Sequence, residues 1–471
     1  MKKEKAVKGG VYLTIVNVVS QLLSTVLSVI LARLLAPEDF GLMALVLTFL
    51  GFIELFTKIG FGSAIIQKKN PSQTQISTLY WINLFFGVIT LVIIIVGTPW
   101  FARFYDSPRL NEIMWIAALS VVITPTYMIH YKLLEKDLKF GLLSRANMVA
   151  SICGAVGATL AALSGLGVIA LIVQALVGKL TKGLIVLHGN SWRPSLIFNF
   201  SEVKDMLVFS LKFKLSQSLL YVDRNIDYLI LGKFFSSAVL GYYSFAYTVM
   251  YTPVKRISSI FNDVMFPALS SIQDDPKKVV RGYFKSVELV AIISFPLMTL
   301  IALHTELILH FFFGTKWDGA IPIVKILCVA GAVQSISQLS SVVFNSLGKP
   351  MVDFYFGIIR NTLTILAIVA GSQYGIEIVA WYLLVVKVLS FIIGQFVIYR
   401  LVKFSILLVV DYLGKAILVC LIMLIINFLN NWLGLSLILM FLISILTAAT
   451  VTLALNRKLL SELFILLKKK I

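Results

Sequence analysis

Long apolar stretches of about twenty residues recur along the whole chain, separated by short polar connections. A hydrocarbon core about 30 Å thick needs about 20 apolar residues per spanning helix. The pattern predicts fourteen such helices, at 11–33, 41–62, 78–98, 112–132, 142–163, 166–187, 207–231, 238–262, 286–313, 321–347, 354–373, 376–399, 412–430 and 434–455. Only Ser164-Gly165-Leu166-Gly167 divides the fifth from the sixth, and Lys255 and Arg256 interrupt the eighth. The apolar residues run on instead of alternating, which excludes an outer-membrane barrel. No connection can house a soluble domain. The start, Met1-Lys-Lys-Glu-Lys, resembles a signal peptide, but its apolar run reaches Leu35, beyond an h-region of about 7–15 residues. It reads as an uncleaved first span.

Composition supports the same class. Of 471 residues, 59% are hydrophobic and 13% charged, against roughly 45–50% and 25% in soluble domains. The mean hydropathy is +0.95. An all-α polytopic membrane protein remains. Cys153, Cys328 and Cys420 all fall in apolar runs and read as small apolar fillers.

The charge is +19, from 41 Lys and Arg against 22 Asp and Glu. With the N-terminus in the cytoplasm, 29 of the 41 cations fall in cytoplasmic connections and their flanking helix ends, and 5 in outer ones. That asymmetry predicts an even number of spans with both termini inside. The basic excess then faces anionic lipid head groups, and nucleic acid is not needed to explain it. Seven cations lie within spans: Lys58, Lys212, Lys214, Arg224, Lys325, Arg360 and Lys387.

Leu31 to Gly41 reads LARLLAPEDFG, and Leu231 to Gly241 reads LGKFFSSAVLG. At an offset of 200, Arg33 meets Lys233, Leu34 and Leu35 meet Phe234 and Phe235, and Gly41 meets Gly241. Spans one and seven then correspond and run the same way, as in transporters built from parallel repeats. The organisation expected is a six-helix bundle over 1–200, a pseudo-symmetric second over 201–402, and two further helices with a basic tail over 403–471. Polar positions agree with it. Asn17, Gln21, Ser24 and Ser28 share one face of span one, and Gln217, Tyr221, Arg224 and Tyr228 share the corresponding face of span seven. Span ten carries Gln334, Gln338, Ser341 and Asn345 at the same spacing. Such faces line a wet cavity or bond helices together.

A charge inside a span costs roughly 2.5–3.5 kcal/mol on insertion scales, so each needs a reason. Asp223, Arg224 and Asp227 form the densest set. Arg224 and Asp227 can pair as a structural unit. Alternatively, Arg224 contacts an anion beside a coupling-ion carboxylate, Asp223 or Asp227. Glu54 and Lys58 stand at i, i+4 and offer the same choice. Lys325 and Arg360 lie toward span ends, where long side chains snorkel. Lys387 is near midplane and is the strongest candidate for a cavity cation. Cations exceed anions, which implies an anionic substrate group such as phosphate or an acidic sugar. His304 and Glu306 share no helical face, which argues against a metal site with His310. Asp274-Asp275-Pro276 reads as a helix cap and turn. Pro125, Pro253 and Pro296 fall inside spans, where each permits a kink. No nucleotide-binding, redox or hydrolytic motif is present, so neither a cofactor nor a metal is expected.

The stretch LARLLAPEDFGLMALVLTFLGFIELF (Leu31 to Phe56) resembles the polysaccharide-transporter branch of the MOP flippase superfamily, near the colanic-acid exporter type. So do GFGSAIIQ, STLYWINL, DRNIDYLILGKF, FPALSSIQDD and FGTKWDGAIPIVKIL. The likeness runs from residue 5 to about 400 and is only hydropathic in the last two spans. It implies a non-enzymatic flippase for undecaprenyl-pyrophosphate-linked oligosaccharide in the bacterial inner membrane, working by rocking alternating access. It also implies a monomer, with membrane lipids, the lipid-linked glycan and polymerase or export machinery as partners. The motifs do not name the sugar. A drug or cation antiporter of the MATE branch is the alternative with the same fold, though its cavity is more acidic. A glycan polymerase or ligase needs an outer catalytic loop, for which there is no room.

Overall fold

The computed structural model describes residues 25–57, 65–66, 68–207, 221, 225–405 and 407–455. Among these residues the regular structure is helical, without strands. Among the described residues, ten helices are long and apolar enough to cross a membrane. Contacts divide the chain into two compact units, 1–241 and 242–471.

The first unit holds helical segments α1 (Thr25–Leu34) and α2 (Pro37–Thr57), and helices α3 (Gln73–Phe104), α4 (Arg109–Lys136), α5 (Phe140–Leu163) and α6 (Ile169–Gly189). It ends with α7 (225–234) and the first residues of α8 (Ser237–Ser270). Helix α5 packs along α6, α3 along α4, and α4 against α6. Ser72 caps α3 in a reciprocal box with Gln75, its hydroxyl accepting from the Gln75 N–H at 3.2 Å. The α5–α6 turn passes through Gly165 and Gly167, both at positive φ, so the brief interruption in the apolar pattern is a real break.

The second unit holds the rest of α8, then α9 (Pro276–Leu303), α10 (Thr305–Phe312), α11 (Ile321–Ser346), α12 (Pro350–Ser372), α13 (Ile376–Val402), α14 (Leu407–Trp432) and α15 (Leu437–Leu455). Its core is aromatic. Phe284 of α9 stacks on Tyr412 of α14 at 5.5 Å and meets Phe404 edge-on at 5.0 Å. Trp317 is fully buried and stacks on Phe245 at 4.2 Å.

Helix ends depart from the predicted spans in two informative places. The predicted 286–313 span is two helices, α9 and α10, with His304 at the joint. Helix α9 also begins ten residues earlier, at Pro276. Asp275 sets that start by accepting from the N–H groups of Lys277 and Lys278 at 3.1 and 3.2 Å, the expected cap. Second, α3 runs to 32 residues, extending the predicted 78–98 span at both ends. Pro125, Pro253 and Pro296 lie inside helices as expected, as do Pro99 and Pro267.

Three polar contacts attach the last two helices to α9. Lys415 Nζ pairs with buried Glu288 at 2.8 Å. Thr299 Oγ1 donates to Cys420 Sγ at 3.2 Å. Buried His304 bonds Ser444 through Nε2 at 2.8 Å. His310 pairs with Asp318 at 2.7 Å.

Candidate functional site

Four helices of the first unit turn polar side chains onto two adjoining cavities. The smaller, about 310 Å³, is lined by Leu47, Gly51 and Glu54 of α2, Ser120 of α4, Lys179 of α6, and Tyr221 with Asn225. The larger, about 570 Å³, is lined by Glu54, Thr124 and Tyr127 of α4, Asn147 and Ser151 of α5, and Gln174, Lys179 and Lys182 of α6. Glu54 and Lys179 border both.

Helical periodicity explains how each wall forms. Ser120, Thr124 and Tyr127 fall at i, i+4, i+7 along α4, and Asn147 and Ser151 at i, i+4 along α5. Gln174, Gly178 and Lys182 repeat at four-residue steps on α6, with Lys179 beside them. Lys179 Nζ donates to the Ser120 carbonyl at 3.1 Å and to its hydroxyl at 3.2 Å. Lys182 Nζ sits 4.5 Å from the centre of the Tyr131 ring, a cation–π contact. Lys132, 5.8 Å from the same ring, pairs with Glu135 at 2.6 Å. Tyr221 donates its hydroxyl to the carbonyls of Leu47 and Thr48 at 3.2 and 3.1 Å.

Asn147, Ser151 and Gln174 make no side-chain hydrogen bond to the described residues. Bare amides and hydroxyls facing lipid would be costly. Such groups suit a wall that faces water or a polar solute and not lipid.

The sequence-derived candidates fall in several places. Glu54 lines both cavities and Tyr221 the smaller one, so these two come together. Asp227 is buried and accepts from the Tyr228 N–H at 3.0 Å. In the second unit, Gln334 and Gln338 are half-buried on α11, with Gln334 Oε1 buried and unbonded. Lys325 is exposed near the start of α11. Arg360 is half-buried, its guanidinium 5.9 Å from the Phe356 ring. Lys387 is half-buried on α13. Asn17, Gln21, Ser24, Lys58, Gln217, Asp223 and Arg224 lie outside the described residues.

Lys179 and Lys182 were not among the candidates. Counting charges toward the basic end placed them with the connection after the sixth span, whereas both lie inside α6, whose last residue is Gly189. The i, i+4 test applied to spans one, seven and ten would have found Asn147 and Ser151 as well.

The arrangement defines a helical membrane protein with a cation-bearing polar chamber, the architecture of a transporter. Residues 30–322 match the family described as "Polysaccharide biosynthesis protein", and the chain belongs to that family. Among curated relatives, the lipopolysaccharide biosynthesis protein WzxC of Escherichia coli is 27% identical over 84% of this chain and 81% of its own. The teichuronic acid biosynthesis protein TuaB of Bacillus subtilis is 27% identical over 75% of this chain and 74% of its own. The succinoglycan biosynthesis transport protein ExoT of Rhizobium meliloti is 22% identical over 79% and 75%. Among solved structures, the lipid II flippase MurJ, inward closed, aligns over 96% of this chain and 100% of its own with a TM-score of 0.77 at 15% identity. An inward-facing MATE multidrug transporter of the MOP superfamily aligns over 81% and 96% with a TM-score of 0.63 at 14% identity. The fold is that of the MOP superfamily.

Proposed function

We propose that this protein is a flippase. It moves a lipid-linked, anionic oligosaccharide from the cytoplasmic to the outer leaflet of a bacterial inner membrane for cell-surface polysaccharide synthesis. The observation that carries this reading is the chamber bordered by Glu54, Lys179 and Lys182 inside α2, α4, α5 and α6. Two ammonium groups on one face of α6 suit a phosphate or uronate, while the amides and hydroxyls opposite suit sugar hydroxyls. The relatives' names support a glycan cargo, since they concern polysaccharide biosynthesis or its transport. No covalent bond changes in this reaction, so the protein acts by binding and by alternating exposure of the chamber. Both termini lie in the cytoplasm, in keeping with the 29-to-5 charge asymmetry. Lys387 and Arg360 of the second unit, and Lys58 and Arg224 in the sequence, are further candidate cations for an anionic cargo, while exposed Lys325 is not one of them. Asp223, Asp227 and Glu54 are the carboxylates available for ion coupling. A MATE-like antiporter shares the fold, yet the excess of chamber cations over carboxylates favours an anion.

Deleting the gene in a strain without paralogues should trap the lipid-linked repeat unit on the inner leaflet. Mass spectrometry of carrier-linked intermediates, with a leaflet-selective label, reads the outcome. Normal outer-leaflet levels together with a new drug sensitivity would replace the flippase by the antiporter.

A further inference from the structure

After Gly189 the chain runs back along the first turns of α3 as a strap over 190–203, irregular until a 3₁₀ turn at Ser201–Val203. Asn190 Nδ2 donates to the His130 carbonyl at 3.3 Å, and Gln73 Nε2 to the Arg193 carbonyl at 2.8 Å. Two turns deeper, Trp81 Nε1 donates to the Ser195 carbonyl at 2.9 Å, and the Ser195 N–H to Ser77 Oγ at 3.1 Å. The strap then climbs out. The Asn199 N–H donates to Thr78 Oγ1 at 3.0 Å, and Gln75 Nε2 to the Glu202 carbonyl at 3.3 Å. Leu196-Ile197-Phe198 bridge these two sets of contacts.

The polar edge of the strap is spent on α3, Trp192 and Val203 pack inward, and the apolar side chains between them point away. Leu196 is 91% exposed, Ile197 51%, Phe198 59% and Phe200 55%. The length of α3 gives their depth. Its 32 residues span about 48 Å at 1.5 Å each. Centring a core of about 30 Å on it leaves about 9 Å, or six residues, outside at each end. Trp81 is the ninth residue of α3, so it and Ser195 lie at the hydrocarbon boundary, where tryptophans concentrate. The peptide groups of Leu196, Ile197 and Phe198 bond none of the described residues. Such backbone belongs at the wet head-group level, with the side chains reaching inward. Lys69, Lys139 and Lys204 are exposed at this same end.

We propose that the strap is a lipid-surface anchor. Leu196, Ile197, Phe198 and Phe200 enter the acyl boundary of the leaflet at the basic end, and the exposed lysines meet anionic head groups. The anchor fixes the exit of α6 against α3 and is independent of the transported cargo.

The test labels Leu196→Cys with an environment-sensitive fluorophore, in the full chain with Cys153, Cys328 and Cys420 replaced by Ala. The protein is reconstituted in vesicles of phosphatidylethanolamine and phosphatidylglycerol, with Lys69→Cys as the aqueous reference. At position 196 the expected result is blue-shifted emission, stronger quenching by lipid carrying a doxyl group at carbon 5 than at carbon 12, and iodide quenching several-fold below the reference. Labelled Phe200→Cys should behave alike, which guards against a local effect of the first substitution. Vesicles of phosphatidylcholine alone should weaken the carbon-5 quenching; unchanged quenching there would overturn the role of anionic head groups. Iodide quenching equal to that at position 69 would overturn the anchor. So would cross-linking of Leu196→Cys between two copies at high lipid-to-protein ratio, which would make the face a protein interface.

Discussion

Gly41 and Gly241 occupy reciprocal positions in one close helix crossing. A Cβ on Gly41 would stand 1.8 Å from the Ser237 carbonyl oxygen, and a Cβ on Gly241 would stand 1.8 Å from the Pro37 carbonyl oxygen. Both relations carry the offset of 200 that aligns LARLLAPEDFG with LGKFFSSAVLG. The starts of α2 and α8 thus meet about a local twofold relation, each glycine admitting the other helix's first-turn carbonyl.

Gly41→Ala and Gly241→Ala should each force the crossing apart. Overpacking of this kind costs typically about 1–3 kcal/mol. The expected result is a lower melting temperature in detergent for each variant. Because both glycines serve one contact, the double variant should lose little more than the worse single one. Fully additive losses would show that the two glycines act separately.

Features repeating every turn or spanning a whole helix were legible in the sequence. The Ser164–Gly167 break and the Asp275 cap were read from local chemistry, and both stand. The chamber was legible only in part. Glu54 and Tyr221 were chosen as unusual polar groups in apolar runs, and they line it. Lys179 and Lys182 were hidden by a rule that sorts cations by their distance from a helix end. A lysine stem can reach water or turn inward from the same Cα, and only packing decides which. The Glu288–Lys415 pair joins residues 127 apart, a relation that one sequence cannot reveal.

Glu288 is buried while Lys415 is half-exposed along α14, so the ion pair holds a cation within a membrane helix. Glu288→Ala leaves that ammonium without its carboxylate. Loss of one partner of a fully buried pair costs about 3–5 kcal/mol, and exposure at Lys415 reduces this to about 1–3 kcal/mol. The variant should show reduced membrane abundance and a lower melting temperature. Glu288→Met with Lys415→Met removes both charges and should recover most of the loss, as read by fluorescence-detected size exclusion. No recovery would mean that the pair does more than neutralise itself.

Asp275 caps α9 from outside the membrane segment. Its carboxyl is held below its ordinary value, chiefly by a hydrogen bond from the Lys278 side chain and then by the N–H groups it caps. Lys278 Nζ lies 3.1 Å from Asp275 Oδ2. A carboxyl depressed on folding binds more protons when unfolded. Its stabilisation is therefore complete above the unfolded value of about 3.9 and is lost as pH falls through the folded value. Hydrogen exchange in the first turns of α9, corrected for intrinsic rate, should rise below about pH 4. Asp275→Asn keeps an acceptor without a titration, so its exchange should stay flat over that range. Parallel curves for the two proteins would remove Asp275 as the cause.

Replacing chamber cations tests the functional assignment most directly. Lys179 is held to Ser120 and Lys182 over Tyr131, so both ammonium groups are positioned before any cargo arrives. A unit charge about 4 Å from a phosphate oxygen is worth about 4 kcal/mol at an effective dielectric of 20. Losing a third of that, about 1.4 kcal/mol, slows transport tenfold. Lys182→Ala and Lys179→Ala should each lower outer-leaflet delivery of the carrier-linked glycan at least tenfold, at normal protein abundance. Lys182→Arg keeps the charge and the ring contact and should retain most activity. Lys325→Ala serves as the control, because that side chain is exposed and borders neither chamber cavity. Equal delivery by Lys179→Ala, Lys182→Ala and wild type would show that these cations only support the helices, and would move the head-group site to another set, with Lys387 and Arg224 the next to replace.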